Sequence, residues 1–183
     1  NITGDVSVVA SNNTRQDAEA TAAAGGLLAA GVADSRSSSN TSNRATLGTN
    51  VTLTASNLSI GAAGRDANYA TTTAGSGGVA AGASATAGTS GTSATLASIG
   101  ASSNVNLSLR GTGELSLAAE HTAALNTREI TNAGGGIAGG GVSVDNEVIS
   151  AVDATIGASA TVLAPEIDLS ATNNVDKPTF ADV

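Results

Sequence analysis

The residues with the most potential for chemistry are a single histidine and a few carboxylates. His121 is the only histidine among 183 residues. A catalytic triad or a histidine-containing metal site would therefore have to be built around it. Its neighbours Glu120 and Thr122 do not indicate such a site, and we expect His121 to occupy a solvated coil face. The sequence indicates no catalytic residue.

Carboxylates occur two residues apart at three places: Asp17 with Glu19, Asp145 with Glu147, and Glu166 with Asp168. In a strand such a pair shares one face, where like charges repel unless a cation lies between them. A surface calcium ion is one interpretation, and a solvated pair is the other. We favour the solvated pair, because the glycine-rich calcium-binding nonapeptide is absent. We therefore expect no metal site.

Motifs for other chemistry are also missing. The sequence has no Walker A or HExxH pattern and no cysteine, so it predicts no cofactor, no disulfide and no thiol ligand. A glycan-active solenoid enzyme would need clustered carboxylates beside a basic residue, and the only lysine is Lys177, next to Pro178. An ice-binding face would need a regular threonine array, which Thr52 and Thr54 begin but the later units do not continue. We expect that the protein is not an enzyme.

The composition limits the kind of core that the chain can build. Aromatic residues make up 1%, as Tyr69 and Phe180, and much of the 40% hydrophobic content is alanine. Alanine buries little apolar area, so the few larger aliphatic residues have to share a thin core. This favours an elongated array in which each layer packs only on its neighbours. A net charge of −8 with scattered basic residues argues against nucleic-acid binding, and no segment reaches the length of a membrane span.

Three short elements recur in a fixed order. Alternating aliphatic strands begin at Val6, Val51, Val105 and Ile167, spaced by 45, 54 and 62 residues. Glycine-rich segments follow at Gly25–Gly31, Gly77–Gly82 and Gly135–Gly141, and Ala-Thr-(Leu/Ile)-Gly segments end at Gly48, Gly100 and Gly157. Constant order with variable spacing indicates a repeat with variable loops. We predict one elongated repeat array over 1–183, with units at about 4–50, 51–104, 105–165 and a further unit from 166.

These patterns predict an all-β fold, a parallel β-solenoid (β-helix) with short strands and glycine-rich turns. The glycines would serve tight corners or places where two backbones come close. The alanine-rich stretch Gln16–Ala24 could instead form a helix. The equivalent stretch in the next unit contains Thr71–Thr73, and β-branched residues in a row disfavour helix. We therefore predict strands.

The alternation of Val-x-Val strands, Gly-Gly-aliphatic segments and Ala-x-Ile-Gly turns resembles the repeat regions of giant bacterial adhesins of the filamentous haemagglutinin type. It is more similar still to the leukotoxin-type filamentous adhesins. The resemblance covers nearly all of the chain and lies in the general pattern of these segments, not in a diagnostic motif. It implies a β-solenoid displayed or secreted by a type V route, at the cell surface or outside the cell, that mediates attachment or self-association.

We therefore expect a structural or adhesive rod segment of a large bacterial surface or secreted protein, which mediates attachment or spacing. The main alternative is a self-assembling extracellular fibre or sheath subunit. Expected partners are adjoining repeats of the same chain, further copies of it, or a host or cell surface.

Overall fold

The structure is a computed structural model that describes residues 4–107 and 113–182. These residues form an all-β fold without helices, so no helix is available to cross a membrane in this part of the chain. The strands are β1 (Val6–Leu47), β2 (Thr52–Thr54), β3 (Leu58–Ile99), β4 (Asn104–Asn106), β5 (Glu114–Gly134), β6 (Ile137–Ile156), β7 (Thr161–Leu163), β8 (Glu166–Asp176) and β9 (Thr179–Asp182).

All strand pairs are parallel and belong to two sheets. In the larger sheet β3 lies between β1 on one side and β5 with β6 on the other, and β5 then pairs with β8 and β9. The smaller sheet has the order β2-β4-β7. Val6 aligns with Leu58, which is 52 residues on, and Leu58 aligns with Leu115, another 57 residues on. Each coil therefore stacks in parallel on the one before it, which confirms the predicted parallel β-solenoid.

Each coil is a flattened loop with an outgoing half and a return half. Within β1, Asn43 Nδ2 donates to the Ala10 carbonyl at 3.2 Å, and Ser37 Oγ donates to the Gln16 carbonyl at 3.0 Å. These contacts join residues 33 and 21 positions apart, so the long strand bends back on itself midway. In the third coil the same bend separates β5 from β6. The strands are thus longer than the short strands that the sequence predicted.

The bend, which we call the glycine tip, is where coil backbones come closest. A Cβ atom on Gly78 would overlap the carbonyl oxygen of Gly26 in the coil before, and one on Gly135 would overlap that of Gly78. Any side chain here would push the coils apart, which explains why the sequence repeats glycine at this point. The prediction that the Gly-Gly segments allow close backbone approach is confirmed.

At the opposite, wide end, short strands β2, β4 and β7 close each coil. The chain turns there through left-handed residues at equivalent positions, Asn50 (φ 56°), Ser102 (φ 57°) and Ser159 (φ 57°). The preceding glycines stack: a Cβ on Gly100 would lie 2.6 Å from the Gly48 carbonyl carbon. The Ala-Thr-(Leu/Ile)-Gly segments therefore mark a corner of the solenoid.

The core is divided between the two ends of the coil. Larger side chains fill the wide end, including Leu58, Ile60, Ile99, Val105, Leu107, Leu115 and Leu117. Towards the glycine tip the two halves of the coil enclose mainly alanine, including Ala33, Ala74, Ala83 and Ala85. The interior narrows in this direction, and the sequence supplies alanine where the space is smallest.

The register changes the sequence-based alignment of the repeats. Val6 aligns with Leu58, whereas Leu53 of the small sheet aligns with Val105 and then Val162. The strands that begin at Val51 and Val105 are therefore not equivalents of the one at Val6. Both kinds of strand alternate aliphatic and polar residues, so the pattern alone does not separate them. The last three residues of the predicted strand Val105–Arg110 lie outside the described residues.

Candidate functional site

The only histidine is buried, so its expected position on a solvated coil face is wrong. His121 is 0% exposed, and its Nε2 lies 3.4 Å from Asp66 Oδ2, an ion-pair distance. It continues the inward positions of β5, which are Leu115, Leu117, Ala119, His121, Ala123 and Leu125. This alternation is visible in the sequence and could have placed the imidazole inside. Gly64 leaves space for the ring, since a Cβ there would lie 2.7 Å from His121 Nδ1.

The histidine belongs to a polar cluster that joins three coils, made of Thr14, Thr41, Asp66, Thr95 and His121. The hydroxyls of Thr14 and Thr41 donate to the two oxygens of the Asp66 carboxylate, the second at 2.9 Å. On the other side, His121 Nδ1 lies 3.4 Å from Thr95 Oγ1. Buried polar groups are costly unless they are paired, and here each coil supplies partners for the next.

The order carboxylate, imidazole, hydroxyl in this polar cluster is also that of a catalytic triad. The cluster differs from an active site in that solvent does not reach it, since Asp66, His121 and Thr95 are 1%, 0% and 2% exposed. The Thr95 hydroxyl is therefore not presented to a substrate from solvent. The geometry supports a structural role, in which the cluster holds the coils in register.

A second ionisable group, Glu129, is buried nearer the glycine tip. It is 0% exposed, and its Oε1 accepts a hydrogen bond from the Ala87 backbone N–H. Desolvation raises the pKa of the Glu129 carboxyl, and hydrogen bonds from the backbones of Ala87 and Ser143 oppose this rise. Oε2 has no hydrogen-bond partner among the described residues. In the folded chain the neutral acid therefore persists to a higher pH than in the unfolded chain.

The three carboxylate pairs lie on the surface. Asp17 accepts a hydrogen bond from Arg15, with Nε 2.8 Å from Oδ2, and this contact lowers the pKa of Asp17. The other two pairs are exposed on the outer strands β6 and β8. Within residues 4–107 and 113–182, no group of three or more His, Cys, Asp or Glu residues could hold a metal ion.

An exposed apolar edge runs along the glycine tip, and sequence reasoning missed it. Its side chains are large and solvent-facing: Leu27 (78% exposed), Leu28 (83%), Val79 (64%) and Ile137 (76%). The chain around it carries no charge over residues 20–33, 67–99 and 130–144. The sequence signal for this edge is that the aliphatic residues directly follow glycine pairs. They lie outside the alternating pattern of aliphatic and polar residues that marks inward positions. Contiguous exposed apolar surface typically marks an interaction site.

Comparisons with family models, with curated proteins and with solved structures found no match.

The polar cluster predicts strong coupling between Asp66 and His121. The substitution His121→Gln leaves a buried carboxylate without its imidazole and is expected to lower the free energy of unfolding by about 3 kcal/mol. Asp66→Asn removes the same interaction. The loss of unfolding free energy in the double variant should therefore be smaller than the sum of the two single losses, by at least about 1 kcal/mol. Urea unfolding of the four proteins measures this coupling. Additive losses would show that the two side chains act independently.

Glu129 predicts a specific pH dependence. Its pKa is raised in the folded state from the ordinary value of 4.5. Below that pH the Glu129 carboxyl is protonated in both the folded and the unfolded state. At higher pH the unfolded state ionises first, so the free energy of unfolding falls until the pH exceeds the folded-state pKa. Relative to wild type, Glu129→Gln should therefore become increasingly stabilising as pH rises above about 4.5. Urea unfolding between pH 4 and 8 is the measurement, and the exposed Glu120→Gln is the control. A constant difference between Glu129→Gln and wild type would refute the assignment.

Proposed function

We propose that the chain is a structural and adhesive segment of a large bacterial β-solenoid protein, displayed at the cell surface or secreted. The observation that carries this proposal is the parallel register that continues from β1 to β9. Every coil uses the previous one as its template and offers a strand edge to the next, as in solenoids in general. The resemblance to filamentous adhesin repeats supports the same conclusion.

The dimensions of the coil favour attachment over spacing. A half-coil such as β5 has 21 residues, which corresponds to about 70 Å at roughly 3.3 Å per residue. The solenoid axis advances by only about 4.8 Å per coil, and each coil uses 52 or 57 residues. Most residues of such a chain make each coil wide, and few extend the solenoid along its axis. Its broad sides and its apolar edge are therefore the parts suited to contact a surface.

The apolar edge supplies a physical basis for adhesion. Leu27, Leu28, Val79 and Ile137 lie in adjacent coils, so stacking turns single side chains into a continuous strip along the axis. Burial of such a strip against another surface is favourable in proportion to the apolar area removed from water. Since no charged residue lies in the surrounding segments, contact there does not require a charge to lose its hydration.

A self-assembling fibre subunit is the second candidate, because the same apolar edge could join copies of the chain to one another. Leu27, Leu28, Val79 and Ile137 are 78%, 83%, 64% and 76% exposed. Burial of this edge in one copy against the same edge of another copy would be favourable in proportion to the apolar area removed from water.

One bead experiment tests attachment and separates the two candidates. Beads coated with the chain are expected to be retained under flow on epithelial or bacterial cell layers, several-fold above albumin-coated beads. Replacing the four residues of the apolar edge by serine should abolish most of this retention. Serine at Val9 and Ile149, which are 71% and 59% exposed away from that edge, should leave it unchanged.

Adding soluble chain distinguishes adhesion from assembly. An adhesive segment in solution competes for the cell surface and lowers retention, whereas an assembling subunit bridges the beads and causes clusters that grow with its concentration. Retention no higher than that of albumin-coated beads on every surface, without clustering, would contradict both candidates.

A further inference from the structure

One outer surface of the solenoid has its charges arranged in rows. This return face consists of the outward side chains of residues 31–47, 83–99 and 140–156, which form three parallel strands in register. Coils stack through their strand edges, so outward side chains face solvent whichever coils precede or follow. The return face is therefore available for contact in a solenoid of any length.

The charged rows of the return face match position by position. Through the middle coil, Arg36 aligns with Asp145 and Arg44 aligns with Asp153. Both arginines thus belong to the row of the first coil, and both aspartates occupy the same strand positions in the row of the third coil. The middle row carries no charge. It separates the two charged rows by about 9.6 Å, which is two strand spacings.

These charged side chains have weak partners or none within the chain. Among the described residues, Arg44, Asp145 and Asp153 form no ion pair. Arg36 Nε lies 3.3 Å from Asp34 Oδ1, but the two side chains are 69% and 52% exposed. Ion pairs as exposed as this contribute little stability. The two charged rows are therefore available to a partner outside the chain.

The arrangement of the rows is complementary to itself. A half-turn about an axis along the middle strand brings the return faces of two copies together, keeps every strand position and reverses the order of the coils. The first coil of one copy then lies over the third coil of the other. Arg36 therefore faces Asp145, and Arg44 faces Asp153. Each contact occurs twice, as in any isologous interface.

The return face is large enough for a stable interface. Residues 31–47 extend over about 55 Å, and three strands cover about 14 Å along the solenoid axis. The footprint is thus about 800 Å² per copy, which is the area that specific, stable interfaces bury on each partner.

The middle row contains a glycine that the fold itself does not need. A Cβ atom on Gly88 would lie 3.6 Å from the Asp145 carbonyl oxygen and 3.7 Å from Arg36 Cγ, which are ordinary contact distances. Stacking of the coils therefore does not explain this glycine, in contrast to those of the glycine tip. Glycine in a strand often marks a place where another backbone comes close. In the paired arrangement, Gly88 of each copy lies on the two-fold axis.

The outgoing outer face does not have this property. Its middle coil carries Arg65 at an exposed outward position. The same half-turn about the middle strand would place Arg65 of one copy against Arg65 of the other, and like charges in contact repel. The two broad sides of the solenoid are therefore not equivalent as surfaces for pairing.

We propose that the return face binds the return face of a second copy of this chain, with the two solenoid axes antiparallel and the middle strands on the two-fold axis. The arginine row of each copy pairs with the aspartate row of the other. This interface is separate from the apolar edge and goes beyond the proposed attachment function, which does not depend on it.

Sedimentation equilibrium of the whole chain at low ionic strength should show a monomer–dimer equilibrium that shifts towards monomer as salt screens the charges. Arg36→Asp/Arg44→Asp places carboxylates in both rows, and Asp145→Arg/Asp153→Arg places arginines in both rows. Each variant alone should dimerise at least about tenfold more weakly than the wild type, because like charges then face each other. An equimolar mixture of the two variants should restore the dimer, since every facing pair is again opposite in sign.

Two controls make the test specific. Glu19→Arg/Glu120→Arg makes the same change in net charge as the double aspartate variant, at exposed positions on the outgoing outer face, and should dimerise like the wild type. Serine at the four residues of the apolar edge removes association through that edge and should also leave the dimer unchanged. Circular dichroism establishes that the variants are folded. The single variants Arg44→Asp and Asp153→Arg repeat the comparison with half the change in charge.

A wild-type chain that stays monomeric at every concentration would overturn the proposal. So would folded charge variants that dimerise like the wild type, or a mixture of the two variants that does not form dimers. Beads coated with the wild-type chain that still adhere after such a result would show that pairing of the return faces failed while the proposed attachment function stands.

Discussion

The narrowness of the coil interior is the constraint on which the rest of the structure depends. Around the glycine tip the two halves of a coil approach so closely that small residues, mainly alanine, line most of the space between them. Small side chains contribute little hydrophobic free energy each. Most of the larger buried aliphatic residues lie at the wide end, where β2, β4 and β7 close the coil. The unusual composition is thus a consequence of the shape of the coil.

A narrow interior also needs hydroxyl and amide groups that satisfy one another. Thr72 Oγ1 donates to the Thr86 carbonyl at 2.8 Å and lies 2.6 Å from Ser35 Oγ, and Asn68 Nδ2 donates to the Ser90 carbonyl at 2.7 Å. Such bonds connect the two halves of a coil and neighbouring coils, and leaving one of these groups without its partner would be costly. Asp66 and His121 connect neighbouring coils in the same way, through ionisable side chains. Glu129 departs from this pattern, since desolvation there is only partly offset by backbone donors. Asn68 Oδ1, Ser76 Oγ and Thr131 Oγ1 also have no hydrogen-bond partner among the described residues.

Much of the fold could be predicted from the sequence, because strand alternation, repeated glycine pairs and the Ala-Thr-(Leu/Ile)-Gly corners are local signals. The register could not, since the strands at Val6 and Val51 have the same pattern but belong to different sheets. The buried position of His121 follows from the alternation along β5, although its neighbours in sequence suggest a solvated residue. The apolar edge depends on which coils are adjacent, and no single segment of sequence contains that information.

The in-register stacking of the coils is the central claim, and engineered disulfides test it most directly because the chain contains no cysteine. Ser7 aligns with Ser59 on the outer face, at a strand spacing of about 4.8 Å that a disulfide can bridge. Ser7→Cys/Ser59→Cys should therefore form an intramolecular disulfide under mild oxidation. Ser7→Cys/Thr52→Cys, which has the 45-residue spacing of the sequence-based alignment, should not. Efficient cross-linking of the second pair and not the first would contradict the register and the surfaces inferred from it.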